Sequence, residues 1–181
     1  MQRATPREPV LSDQPCSVAR TLDIIGDRWT ALVLRDIAIG ISRFDAIQSD
    51  LGLSRKVLAQ RLATLVEHQV LTRVEYQDNP PRYDYRLTDK GNDLAMVLLA
   101  IQQFGDKWFF GGEAPIAWRH LSCGQISQPV QVCDHCGEQV RPGDAIPLRG
   151  PSFDDEAAPL VGQALDEIAA AFGEQSTVRA T

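Results

Sequence analysis

Apolar residues recur every three or four positions through most of the first hundred residues, a spacing that predicts helices rather than strands. From Ser17 to Gly26, Val18, Leu22 and Ile25 share one helical face, and Gly26 ends the run. Asp27, Arg28 and Trp29 turn the chain into a second helix, which carries Trp29, Leu32, Val33 and Ile37 on one face and stops at Gly40. Phe44 to Ser49 is a helix of under two turns, carrying Phe44 and Ile47, and Leu51-Gly52-Leu53 is a tight turn. Ser54 is a good N-cap for a helix running to about His68. Its apolar face is Val57, Leu58, Leu62, Leu65 and Val66, while Arg55, Lys56, Gln60, Arg61 and Thr64 fall largely on the opposite side. A helix, a glycine-containing turn and a second helix with a polar outer face make a helix-turn-helix.

The period then shortens to two. Leu71 to Tyr76 and Tyr83 to Leu87 alternate, and the loop-forming run from Gln77 to Arg82 lies between them, which predicts a β-hairpin wing. Thr88 caps a long helix from Asp89 to Phe109. Its stretch from Leu94 to Ile101 is apolar on every side, and a domain this small covers only one face, so a partner subunit is expected on the other. The fold class expected is mainly α with a small β-hairpin wing.

After Gly111-Gly112 the pattern is lost. The chain divides into a polar tail (1–14), a winged-helix domain (15–112), a cysteine-rich segment (113–149) and an acidic tail (150–181). A short helix over 159–172 would place Val161, Leu165, Ile168 and Phe172 on one face of an otherwise weakly docked tail. No internal repeat is expected.

Charge sharpens this division. The net charge of −6 looks wrong for a nucleic-acid binder, but residues 1–110 hold 14 basic and 14 acidic residues, while residues 111–181 hold 4 and 10. The acidic excess belongs to the C-terminal third. Arg55, Lys56 and Arg61 form a basic patch without an acid between them, suited to phosphate contacts. No apolar run approaches the roughly 18 residues of a membrane helix. The N-terminus has no signal-peptide pattern, and a cytoplasmic protein without membrane contact is expected.

Three of the four cysteines stand in two similar knuckles, His120-Leu121-Ser122-Cys123-Gly124 and Cys133-Asp134-His135-Cys136-Gly137. Each offers two ligands about one turn apart, and the glycine lets the chain wrap a metal. His120, Cys123, Cys133 and Cys136 are thus a candidate structural Zn2+ set in a zinc-ribbon-like appendage, with His135 a competing ligand. Free thiols and a Cys133–Cys136 disulfide are the alternatives. A zinc deaminase needs H-x-E and P-C-x-x-C, whereas Leu121-Ser122 follows His120 and Val132 precedes Cys133. No nucleophile–base pair or phosphate-binding glycine loop stands out, and an enzyme is not expected.

The stretch from Cys16 to Trp108 resembles the HxlR family of MarR-like winged-helix regulators. The matching motifs are the opening from Cys16 to Trp29, the Gly-x-x-Arg-Phe run from Gly40 to Phe44, the segment from Leu53 to Leu62, and Tyr83-Asp84-Tyr85-Arg86-Leu87-Thr88 with Gly91 beyond. Two glycines usual in the family are replaced, by Gln69 after the recognition helix and by Asp27 before the Arg-Trp pair, and both read as loop-level changes. The resemblance implies a homodimeric DNA-binding regulator, by default a repressor, whose residues 54–68 enter the major groove of double-stranded DNA. Arg55, Lys56 and Arg61 suit guanine edges or phosphates, and Gln60 suits adenine. Ser54 and Arg43 are placed for the backbone, and Arg82 at the wing tip for the minor groove. A small-molecule or redox effector fits the same picture. Cys16 stands at a helix N-terminus with Arg20 one turn on, so it is either a reactive sensor of electrophiles or oxidants or a small packing residue. The second functional reading is a winged-helix protein-interaction module whose partner surface is the zinc ribbon.

Overall fold

The computed structural model describes residues 14–173, so the tail expected over 1–14 falls almost wholly outside the described residues. The element order is α1 (Ser17–Ile25), α2 (Arg28–Ala38), α3 (Phe44–Leu51), α4 (Arg55–Glu67), β1 (Leu71–Gln77), β2 (Arg82–Leu87), α5 (Asp89–Phe109) and α6 (Pro159–Ala171). This is a mainly helical winged helix-turn-helix with one antiparallel two-stranded hairpin. None of the described helices is long and apolar enough to cross a membrane.

Two compact units make up the chain, Thr21–Gln128 on one hand and Met1–Arg20 with Pro129–Thr181 on the other. They do not follow the expected cuts after residues 112 and 149. Residues 113–118 stay with the winged helix because Gln102 of α5 holds them: its Nε2 donates to the Ile116 carbonyl (3.1 Å) and its Oε1 accepts from Trp118 Nε1 (3.2 Å).

The first unit's core is built on α2 and α4. Val33, Leu34 and Ile37 of α2, Ile47 of α3, and Leu58, Leu62 and Leu65 of α4 are buried with Val70, Leu71 and Leu94. The sequence pattern gives α2 one apolar face, yet Thr30 and Asp36 are buried as well. The Asp36 carboxyl is held by Arg35, whose guanidinium also reaches Asp50 at the end of α3 (3.0 Å). Burial raises the Asp36 pKa above the usual carboxylate range, against the opposing pull of Arg35.

The ends of α3 and α4 are set by local chemistry. Gly52 closes α3 in the left-handed region (φ 63°), and the Ser54 hydroxyl caps α4 by accepting the Val57 N–H (3.3 Å). α4 ends in a Schellman motif: Val70 N–H bonds Leu65 C=O (2.9 Å) and Gln69 N–H bonds Val66 C=O (3.0 Å). Gln69 therefore occupies a left-handed position (φ 58°) that glycine adopts without strain. The replacement read as a loop change is a strained helix cap.

In the second unit, Arg149 organises residues 149–166. Its guanidinium bonds Asp155 (3.1 Å) and Asp166 and lies over the Phe153 ring (5.5 Å to the centroid). Gly162 makes room for this cluster, since a Cβ there would stand 2.7 Å from an Asp155 oxygen. Arg149 thus ties together a segment expected to be only weakly docked. α6 buries Gly162, Leu165 and Ala169, while Val161 and Phe172 are exposed.

Candidate nucleic-acid interface

The outward surface of α4 carries Arg55, Lys56, Ala59, Gln60 and Ala63, all exposed. Position by helical position, these residues and Glu67 are left exposed once Leu58, Leu62 and Leu65 are buried. Ala59 and Ala63 belong to this surface and were not singled out from the sequence. Small apolar residues between long polar ones are a composition that lets a helix approach base edges and thymine methyl groups closely.

Arg55 is 70% exposed, and its Nη1 donates to Asp45 (3.0 Å) and Gln48 (3.3 Å) while its guanidinium stacks on Phe44 (4.8 Å). Arg55 and Arg82 both line a cleft of about 350 Å3 between α3 and the wing, walled by Phe44, Tyr76, Pro80 and Tyr83. Arg82 opens β2 opposite Gln77 rather than standing at the tip of the loop. Arg43 donates to Asp84 of β2 (3.1 Å), lies over the Tyr76 ring (4.4 Å) and stays 60% exposed. The backbone there makes an antiparallel bridge between Arg43 and Asp84, and Tyr85 N–H bonds Ser42 C=O (2.9 Å), so the wing is anchored to the chain entering α3.

Arg61 departs from its expected place. It is 25% exposed, its Nη2 donates to Asp27 (3.0 Å), and its Nε is buried without a hydrogen-bond partner among the described residues. Its position, one residue past Gln60, turns it toward the α1–α2 turn instead of the outer surface. Ser54 is likewise occupied as the α4 cap.

The knuckles correct the expectation that the chain has no repeat. Residues 118–127 and 131–140 fold alike. Arg119 pairs with Ile126 and Val132 with Gln139, Gly124 N–H bonds His120 C=O (2.8 Å), and Gly137 N–H bonds Cys133 C=O (2.8 Å). Gly124 (φ 72°) and Gly137 (φ 75°) hold equivalent left-handed corners. In this register His120 and Cys123 match Cys133 and Cys136, whereas His135 matches Ser122. His120 Nδ1 stands 3.2 Å from Cys123 Sγ. Backbone N–H groups of Cys136 and His135, with the Cys136 side chain, lower the Cys133 pKa below the usual thiol range. Among the described residues no three His, Cys, Asp or Glu side chains are gathered as a metal site. Cys16, at the start of α1, is exposed.

Residues 24–111 match the family model described as HxlR-like helix-turn-helix. The uncharacterised HTH-type transcriptional regulator Rv3095 of Mycobacterium tuberculosis is 40% identical over 138 residues, covering 76% of this chain and 87% of that protein. The chain belongs to the HxlR-like helix-turn-helix family. Because only 23 residues precede the family segment, the stretch shared with Rv3095 continues into the cysteine-bearing region. Among solved structures, the candidate transcription factor PA1607 is 39% identical with a TM-score of 0.64, over 73% of this chain and 93% of that one. A second candidate transcription factor, PA1374 from Pseudomonas aeruginosa, is 28% identical with a TM-score of 0.56, over 80% of this chain and 99% of that one. This HxlR-like protein is a transcriptional regulator with a helix-turn-helix DNA-binding domain, and not an enzyme.

Proposed function

We propose that the chain acts as a homodimeric repressor that binds a near-palindromic operator, with α4 in the major groove. The exposed row Lys56, Ala59, Gln60 and Ala63 carries this reading, flanked by Arg55, Arg43 and Arg82 for the phosphates. A two-fold dimer spaces its half-sites by roughly one helical turn, about 34–36 Å. The experiment uses a duplex selected by the wild-type protein from a random-sequence pool. Gln60→Ala is expected to cost roughly 1–3 kcal/mol and to relax preference at one base pair. Lys56→Ala is expected to weaken all duplexes alike and to lower the salt slope by about 1. A reporter repressed from the selected operator should be relieved by either variant. Selection of no duplex, or unchanged binding in the Arg55→Ala/Lys56→Ala/Gln60→Ala protein, overturns the reading.

The dimer is proposed to form through α5. Val97, Ile101, Phe104 and Trp108 lie at i, i+4, i+7 and i+11 and are all exposed, as are Val18 and Leu22 on α1. That spacing makes a straight apolar stripe, which a second copy of the same stripe covers by two-fold symmetry.

Zinc is proposed as a structural ligand of the knuckles. The support is each knuckle taken by itself: a left-handed glycine corner, paired ligand positions, and in one of them a thiol whose pKa backbone N–H groups lower. The residues at those positions are His120, Cys123, Cys133 and Cys136, and the repeat favours His120 over His135. Bound zinc supplies cross-linking to segments poor in apolar side chains. Protein purified under reducing conditions should contain zinc, and Cys133→Ser or Cys136→Ser should lose it. Elemental analysis that finds no zinc in the wild type sinks this proposal.

A further inference from the structure

We infer that Arg61 is a positioning residue for the DNA-reading helix, locked by Asp27, and not itself a reader of bases; this rests on the DNA-binding reading above. A cation on the polar side of such a helix is a candidate for contact with the nucleic-acid backbone. Here the Arg61 Nη2 donates to Asp27 Oδ2 (3.0 Å), and the side chain is 25% exposed against 70% for Arg55 on the same helix. Its Nε is turned into the protein interior.

The acceptor is itself fixed. Asp27 is the N-cap of α2, and its Oδ1 accepts the Trp29 N–H (2.9 Å) and the Thr30 N–H (3.3 Å). One carboxylate therefore closes the first turn of α2 with one oxygen and holds the midpoint of α4 with the other. The leucines beneath α4 set its depth, but apolar contact is non-directional and leaves rotation about the helix axis soft. A charge-assisted hydrogen bond is directional and is shorter and stronger than a neutral one. The Asp27–Arg61 pair supplies the directional restraint, and so decides how Lys56, Ala59 and Gln60 present to a groove.

The test compares the full-length wild type with Asp27→Ser, which keeps an N-cap oxygen but cannot reach Arg61 as an ion, with Arg61→Ala, and with the double variant. The probe is the duplex selected by the wild type, together with every single-base-pair change in it. Asp27→Ser and Arg61→Ala are each expected to lower affinity by a similar factor, roughly three- to thirtyfold. The loss should be uniform across the panel, and the double variant should be no worse than either single one. Thermal unfolding of the same four proteins should show the same non-additivity without any DNA present. Additive unfolding effects overturn the pair. Unchanged or tighter binding by Asp27→Ser, or loss of preference at one base pair in Arg61→Ala, makes Arg61 a reader and overturns the inference. Should the wild type select no duplex, the DNA reading and this inference fall together, while a Gln60→Ala effect beside a silent Asp27→Ser sinks the inference alone.

Discussion

The Ile101→Glu/Phe104→Glu protein is expected to sediment as a monomer and to bind a two-half-site operator at least about a hundredfold more weakly than the wild type. These residues belong to a row of exposed apolar side chains along α5. Ile101 is 55% exposed, Phe104 59% and Trp108 63%. Phe104 packs its ring against Trp108 (6.4 Å between centroids) and Phe109 (6.2 Å), so the aromatic end of α5 forms one surface rather than scattered side chains. α5 buries Gly91 and Leu94 in its first two turns and Asp106 farther along, and both substitutions leave these residues untouched. In a two-fold interface each glutamate meets apolar side chains of the second copy, and burying an unpaired carboxylate costs far more than the contact it replaces. A monomer holds only one half-site, and the second binding event no longer occurs at high effective concentration, which is the source of the affinity loss. A single-half-site duplex should be bound equally by both proteins. A variant that still sediments as a dimer would place the subunit interface elsewhere.

Much of the winged helix could be read from the chain because its signals are local. The Ser54 and Thr88 caps act three residues away, the left-handed turn at Gly52 needs no partner, and the switch of period at Leu71 announces the hairpin by itself. Two of the departures involve residues distant in sequence. Arg61 and Asp27 are 34 positions apart, and helical periodicity cannot say whether a cation at the edge of a polar face turns outward or toward a neighbouring turn. Arg43 and Asp84 meet across 41 positions, so the anchoring of the wing was invisible as well. Asp36 shows the converse limit. A carboxylate on a helix predicts solvent, and only the packing of α2 on several sides encloses it. The likeness of the two knuckles is legible in their paired ligand positions and glycines, but its extent over ten residues is set by backbone hydrogen bonds, since the side chains agree only at Cys123/Cys136 and Gly124/Gly137. In α6 the apolar spacing was real but the buried row is Gly162, Leu165 and Ala169, because the Arg149 cluster lies over the glycine and selects that side.

Gly91→Ala is expected to destabilise the DNA-binding unit by about 1–3 kcal/mol or more, although propensity alone predicts the reverse. Alanine inside a helix is favoured over glycine by roughly 0.5–1 kcal/mol. Gly91 lies in the first turn of α5, where its N–H is capped by the Thr88 hydroxyl (3.1 Å). A Cβ at this position would stand 2.2 Å from the Val70 carbonyl oxygen and 3.1 Å from a Leu87 methyl. Neither neighbour can yield easily. The Val70 carbonyl accepts the Thr88 N–H (3.1 Å) and the Thr88 hydroxyl (3.2 Å), and Val70 itself is fully buried as the last residue of the α4 Schellman motif. Leu87 pairs with Leu71 at the base of the wing. The end of α4, the foot of the wing and the start of α5 converge on this one carbonyl, so relief of the clash must move α5 away from the DNA-reading elements. Thermal unfolding should therefore show a lower Tm, and operator affinity should fall together with it because α5 also carries the proposed subunit interface. Gly91→Ser should behave in the same way, since the added Cβ and not its polarity causes the effect. An unchanged or raised Tm in Gly91→Ala would mean that α5 accommodates the methyl group by a shift without energetic consequence, and that the close approach to Val70 is not what the glycine is for.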